Sequence, residues 1–366
     1  MKILIIGQGL AGTLLGYRLE RAGCHVDYVD APEQTAASDV AAGIINPITG
    51  RRFVKSWRID ELLPAARDLY QELERTYGVK IWYDLPLVRS LFNRGDRNDW
   101  EVRSADPGYA EYLDDHPDPG RIPEQTVPVF AYAGVRHTAR VDLATLVAAH
   151  RSASSGAGRF RAQAFDYATL PALLGKQPAD GALNAGARPG EGAGAAPASA
   201  APYDRIICCE GWRARFNPYF AYLPHGGMKG DVLLVRTTAP PLERMFKHRI
   251  FLVPQSDGTY WVGATSDNRF ADDAPSPANY QFLSDRLEEL LTVPYTIIGH
   301  RAAVRPTVRD RRLLLGSHPS WPELLIFNGL GTKGASLAPL ASRWLADYLL
   351  AGAPLPAEVD IQRFAP

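Results

Sequence analysis

The segment MKILIIGQGLAG, residues 1–12, decides how this chain is read. Ile3 to Ile6 is a short unbroken apolar run, the pattern of a parallel strand buried on both faces. It ends directly in Gly7, and Gly7-Gln8-Gly9-Leu10-Ala11-Gly12 has the G-x-G-x-x-G spacing. Gly7 permits the tight turn out of the strand, Gly9 lets the backbone approach a pyrophosphate, and Gly12 lets the next helix pack closely on the strand. In that helix Leu10, Leu14, Leu15 and Leu19 share one face, and Gly23 closes it. His25 to Asp30 reads as the second strand, and an acid at its end accepts hydrogen bonds from a ribose 2′-hydroxyl. Three glycines alone are a weak signal. Strand, turn, helix, strand and acid within about 30 residues make a complete β-α-β unit. The start of the chain is therefore predicted to bind a dinucleotide through Gly7, Gly9, Leu10, Ala11, Gly12 and Asp30, with phosphate on the free N–H groups of the helix N-terminus.

The rest of the chain is large enough to need a partner for that unit. It has 366 residues with 46% hydrophobic content, enough for a sizeable core. The 40 basic and 40 acidic side chains cancel, which removes the electrostatic footprint expected of a nucleic-acid or acidic-membrane binder. Cys24, Cys208 and Cys209 are the three cysteines, and the adjacent pair on an apparent strand points to opposite faces, so neither a disulfide framework nor a zinc site is expected. The histidines show no metal-ligand spacing. The first apolar run meets glycines and then Arg18, Glu20 and Arg21, which is wrong for a signal peptide, and no apolar stretch reaches the roughly 18 residues of a membrane span. The chain reads as cytoplasmic and reduced.

Farther along, Asp60 to Gly78 is a second amphipathic helix with Leu62, Leu69, Leu73 and Tyr77 at helical spacing. After it the texture changes to short β-rich runs, as in Asp231 to Arg236, Arg249 to Val253 and Thr259 to Gly263, the last two joined by a Ser256-Asp257-Gly258 turn. This predicts an antiparallel sheet interrupted by one helix, Tyr280 to Leu291. Between those β-rich parts, Val141 to Trp212 returns to helix-then-strand character. Within it, Gly175 to Pro202 is nearly all Gly, Ala and Pro and is expected to be a flexible surface insertion. The expected fold is α/β: a Rossmann-like cofactor domain from 1–78, 136–215 and 304–366, interleaved with an antiparallel-sheet α+β substrate domain from 79–135 and 216–303.

Four further places carry chemistry. Ala41-Ala42-Gly43-Ile44-Ile45-Asn46-Pro47 is a small-residue turn. Ile206 to Trp212 is a strand ending in Cys209-Glu210-Gly211-Trp212. Val304-Arg305-Pro306 precedes Asp310 and the run Leu313 to Gly316. Gly329-Leu330-Gly331-Thr332-Lys333-Gly334 opens an amphipathic helix with Leu337, Leu340, Trp344, Leu345 and Tyr348 on one face. In this order, over almost the whole chain, they resemble the D-amino-acid oxidase and glycine oxidase family of flavoproteins, with only the Gly/Ala/Pro stretch foreign to it. The resemblance implies FAD, with Ala42, Gly43, Gly211, Trp212, Gly329, Gly331, Thr332, Lys333 and Gly334 joining the first motif around the cofactor, and the positions of Cys24, Cys208 and Cys209, none placed for a flavin link, predict that it is held non-covalently. It also implies that Arg305 binds a substrate carboxylate, a role suited to a planar fork of donors. A helix N-terminus and the Lys333 ammonium near the flavin would stabilise the anion of the reduced ring.

Each assignment has a plainer rival. Lys333 can be a solvated turn lysine, Arg305 can pair with Asp310, and the cluster of Arg51, Arg52, Lys55 and Arg58 can be a solvated loop. Strand alternation sends one of Tyr260 and Trp261 to the flavin side, and sequence does not choose between them. The implied reaction is oxidation of the C–N bond of a small-molecule amine or amino acid, the α-hydrogen leaving as hydride to flavin N5 with no strong protein base required. The form Gly-Leu-Gly-Thr-Lys-Gly is closer to the oxidase that acts on a modified tRNA wobble uridine, which is one rival; the chain's net neutrality makes nucleic acid the weaker expectation. A non-catalytic flavin-binding protein is the other.

Overall fold

The computed structural model describes residues 1–31, 33–176 and 202–364. The expected insertion at Gly175 to Pro202 therefore falls almost entirely outside the described residues.

The N-terminal unit forms as its sequence dictates. Lys2–Ile6 and His25–Asp30 pair in parallel, Ile5 beside Tyr28, with helix Leu10–Arg21 between them. Six strands make the sheet, in the order Phe160–Ala162, His25–Asp30, Lys2–Ile6, Arg205–Cys208, Trp321–Asn328 and Leu314–His318. All neighbours are parallel except the last pair. The strand order changes direction beside Lys2–Ile6, and a ligand of such a sheet sits outside the strand ends at that point. Cys208 and Cys209 face opposite clusters of the core, as alternation requires.

A second sheet has eight strands, in the order Tyr295–Arg305, Met228–Thr237, Tyr260–Gly263, Phe251–Pro254, Met245–Lys247, Leu87–Leu91, Ala131–Val135 and Leu113–Asp114. It is antiparallel but for one pair. Met245–Lys247 runs parallel to Leu87–Leu91, where two distant stretches of chain meet. The α/β expectation of a parallel cofactor sheet interleaved with an antiparallel one holds. The predicted helix Tyr280 to Leu291 begins and ends earlier, at Pro277–Glu288, because Ser276 caps it by accepting from the Asn279 N–H and Pro277 occupies the first turn. Leu290 and Leu291 turn into the core instead.

Of the two candidate aromatics, Trp261 faces the inter-sheet side: its Nε1 donates to the Val40 carbonyl at 2.8 Å. Tyr260 points the other way and accepts from the Leu242 N–H at 2.7 Å. One face of the eight-stranded sheet thus looks toward the C-terminal ends of the parallel strands.

Candidate active site

Between the two sheets lies a cleft of about 590 Å³, within the size range of small-molecule sites. At one end Gly7 turns with φ of 92°, and a Cβ there would lie 2.5 Å from the Cys209 carbonyl oxygen. Gly9, Leu10 and Ala11 line the cleft. No side chain caps helix Leu10–Arg21, so its first N–H groups are left for an anion. Gly12 does not line the cleft. Its Cβ would come 2.1 Å from the Gly7 oxygen, so it serves contact between helix and turn. Asp30 lines the cleft and accepts from Arg151 Nη2 at 2.6 Å, burial raising its pKa while Arg151 opposes that rise. Arg151 also donates to Gln8 at 3.3 Å. It lies on helix Leu143–Gly156, and nothing in its sequence neighbourhood announces this role.

At the other end Ala42, Gly43, Gly211, Trp212, Gly331, Thr332 and Gly334 line the cleft. Trp212 Nε1 is buried without a hydrogen-bond partner. Gly329, with φ of 82°, is wedged against Val308, Arg312 and Leu313 and shapes the turn from outside the cleft. Helix Gly334–Ala351 also starts without a side-chain cap, and Gly334 and Ala335 bring that start to the cleft. Two uncapped helix N-termini, glycines on both turns and an orphan indole donor fit a dinucleotide whose diphosphate and reduced ring are anionic.

Lys333 is placed differently from its neighbours. Its ammonium donates to Ser56 Oγ at 3.1 Å and Thr49 Oγ1 at 3.3 Å and is not part of the cleft lining. Burial, then Arg311 and Arg312, lower its pKa. The 51–58 cluster is also off the cleft: Lys55 pairs with Asp60 at 2.8 Å and Arg58 with Glu61 at 2.6 Å.

Arg305 ends the strand Tyr295–Arg305 inside the cleft. Its guanidinium lies over Gly230, where a Cβ would meet Nη2 at 2.2 Å, and Nη1 donates to the Thr265 carbonyl at 3.2 Å. Asp310 bonds to Arg363 at 3.0 Å instead, and among the described residues no carboxylate forms an ion pair with Arg305. Burial lowers its pKa, with the buried Asp231 opposing. The Asp231 carboxylate is already taken by the Ser276 N–H, Asn279 Nδ2 and His300.

Glu210 is a cleft residue that sequence reasoning passed over, although its departure from the small residue usual before such a glycine was visible. Its carboxylate accepts from Tyr167 Oη and from Asn217 Nδ2, the latter at 2.7 Å, and burial pushes its pKa up to about 7.

Residues 2–348 match the family model described as FAD dependent oxidoreductase, DAO. The chain belongs to this family. It is an FAD-dependent oxidoreductase enzyme. It is similar to the glycine oxidase of Bacillus licheniformis, 24% identical over 97% of this chain and 94% of that one. It is also similar to the glycine oxidase of Pseudomonas aeruginosa, 27% identical over 44% of this chain and 45% of that one. A shorter match, 32% identical, covers 27% of this chain and 18% of the bifunctional tRNA 5-methylaminomethyl-2-thiouridine biosynthesis protein of Marinobacter nauticus. These last two matches each span less than half of the relative's length. The fold is that of the glycine oxidase of Geobacillus kaustophilus, with a TM-score of 0.76 at 20% identity over 99% of this chain and 97% of the other. Among the described residues no helix is long and apolar enough to cross a membrane.

Proposed function

We propose that this oxidoreductase holds FAD non-covalently and oxidises the C–N bond of an amino acid or secondary amine whose carboxylate is anchored by Arg305. The observation that carries the reading is a partly buried guanidinium in the cleft without a carboxylate of its own. Burying such a charge is costly unless an anion completes it, and a planar fork suits a carboxylate best. The glycine turns at Gly7 and Gly331 would hold FAD, which would supply a hydride acceptor for the α-hydrogen, so that the substrate would become an imine that water hydrolyses.

The chain's own residues position and shield. Arg305 fixes the carboxylate and so the direction of the amine, Trp261 walls the site from the sheet side, and the N-terminus of helix Gly334–Ala351 would present its dipole to a bound flavin. Lys333 acts through the terminal turn, tying it to Thr49 and Ser56. Residues 1–78, 136–215 and 304–366 would carry FAD, and 79–135 and 216–303 would cover the substrate. All three cysteines are buried, and burial pushes Cys208 up to about 12 and raises Cys209 well above its usual value, so neither supplies a thiolate for a covalent flavin bond. The small-molecule reading is favoured over a tRNA substrate because Lys55 and Arg58 are engaged in ion pairs.

Arg305→Leu tests the anchor. Loss of a charge-assisted contact worth about 1.5–3 kcal/mol lowers kcat/KM roughly 10- to 150-fold while the flavin spectrum stays intact. Arg305→Lys recovers part of the loss, because a point charge does not reproduce the fork. Wild-type turnover in the Leu variant removes Arg305 from the site.

A further inference from the structure

The cleft wall carries a second cation that C–N oxidation does not use. Lys247 ends the strand Met245–Lys247 and lines the cleft. On one side its register partner is Arg89, on the other Phe251; Phe251 pairs with Gly263 and Gly263 with Val232. One row thus crosses the sheet from the strand beneath the Arg305 guanidinium to Arg89. Alternation puts Lys247 on the face of Met245, and Arg89 on the face of Leu87 and Leu91, all three in the cluster that also contains Val232 and Trp261.

Two cations therefore stand side by side in a mainly apolar wall, and among the described residues neither forms an ion pair. Lys247 Nζ makes one hydrogen bond, to the Arg249 carbonyl at 2.9 Å, and lies 4.5 Å from the centre of the Phe251 ring. Arg89 packs against Phe53, 4.4 Å from that ring's centre, and its buried Nε has no hydrogen-bond partner. Burial and then Arg89 push Lys247 down to about 8, while burial lowers Arg89 to about 10 with Asp96 opposing. An anion on the cleft side is what this pair lacks. The Arg305 carboxylate cannot be that anion. Two strand steps separate Phe251 from the strand that carries Gly230, about 10 Å of sheet, and one carboxylate does not bridge it.

We propose that the substrate is an amine with two acidic groups, the α-carboxylate on Arg305 and a second carboxylate on the Lys247 ammonium. Arg89 adds charge from behind without touching the ligand. This rests on the amino-acid reading given above, and the test separates the two.

The holoenzyme, wild type, Lys247→Met and Lys247→Arg, is titrated with the unreactive acids glutarate, adipate and pimelate and with butyrate and hexanoate, binding being read from the perturbed flavin absorbance. Wild type is expected to bind the best dicarboxylate about ten-fold or more tighter than any monocarboxylate. Lys247→Met should erase that preference while leaving monocarboxylate binding within about two-fold and flavin content unchanged, and Lys247→Arg should restore part of it. Equal binding of mono- and dicarboxylates by wild type, which needs no variant, overturns the proposal, as does a preference that survives Lys247→Met. Because these ligands are not oxidised, the result stands even if no amine reduces the flavin. Loss of all binding in Arg305→Leu alone, with Lys247→Met unaffected, would leave the amino-acid reading in place and sink this one.

Discussion

Gly43 and Gly50 share a left-handed backbone, with φ of 69° and 77°, but not their surroundings. A Cβ on Gly43 would lie 1.8 Å from the Val141 carbonyl oxygen, whereas one on Gly50 meets nothing within 4 Å. The backbone conformation costs a residue with a side chain about 1–2 kcal/mol at either site. At Gly43 the chains must also part by roughly 1.5 Å to reach an ordinary contact. That movement breaks the hydrogen bond from the Val141 N–H to the Gly43 carbonyl, at 2.9 Å, and loosens the Arg140–Ile44 pairing. One lost backbone hydrogen bond adds about 1 kcal/mol, so Gly43→Ala should lose about 2–3 kcal/mol and Gly50→Ala about 1–2 kcal/mol. The displaced turn lines the cleft, so only Gly43→Ala should also weaken FAD. Denaturant unfolding and a fluorescence titration of apoprotein with FAD measure both effects. Equal stability and equal FAD affinity in the two variants would refute the claim that this turn is pressed against its neighbour to form the cofactor wall.

Two further outcomes concern the cofactor. Glu210 lies beside the phosphate turn, its Cα 3.2 Å from where a Gly7 Cβ would stand, and its carboxyl titrates near 7. It is neutral below that pH and anionic above, so the FAD dissociation constant should rise as pH increases through about 7 and lose this dependence in Glu210→Gln; a flat wild-type profile counts against it. The same raised pKa favours the protonated fold, so Glu210's contribution to stability is full below about 4.3, the ordinary carboxyl value, and is lost as pH rises to about 7. Acid precipitation of the yellow protein should release all of its FAD, since every cysteine is buried; flavin retained in the pellet would show a covalent link.

What the sequence made legible was local. The Gly7 to Gly12 turn, the helix behind it and the Gly329 to Gly334 turn each declare themselves within a dozen neighbours, because glycine, strand and helix signals are short-range. Arg305 could be named from its motif, but its release from Asp310 depends on Arg363, far along the chain. Trp261 could be paired with Tyr260 as an alternative but not chosen, since the choice is made by which side of the sheet the parallel strands occupy. Lys333 shares its motif with cleft residues, yet its side chain turns to Thr49 and Ser56, a contact across the fold. The Lys247–Arg89 neighbourhood was beyond reach altogether, because it exists only through the parallel pairing of two remote strands.

The most direct test of the whole account is anaerobic mixing of the purified yellow protein with a panel of amino acids and N-substituted glycines beside their decarboxylated amines, following the flavin colour. Bleaching by members that carry a free carboxylate, and little or none by the matching amines, is the predicted result. Failure of every amino acid to bleach a flavin that dithionite reduces, or equal bleaching by the amines, would contradict it.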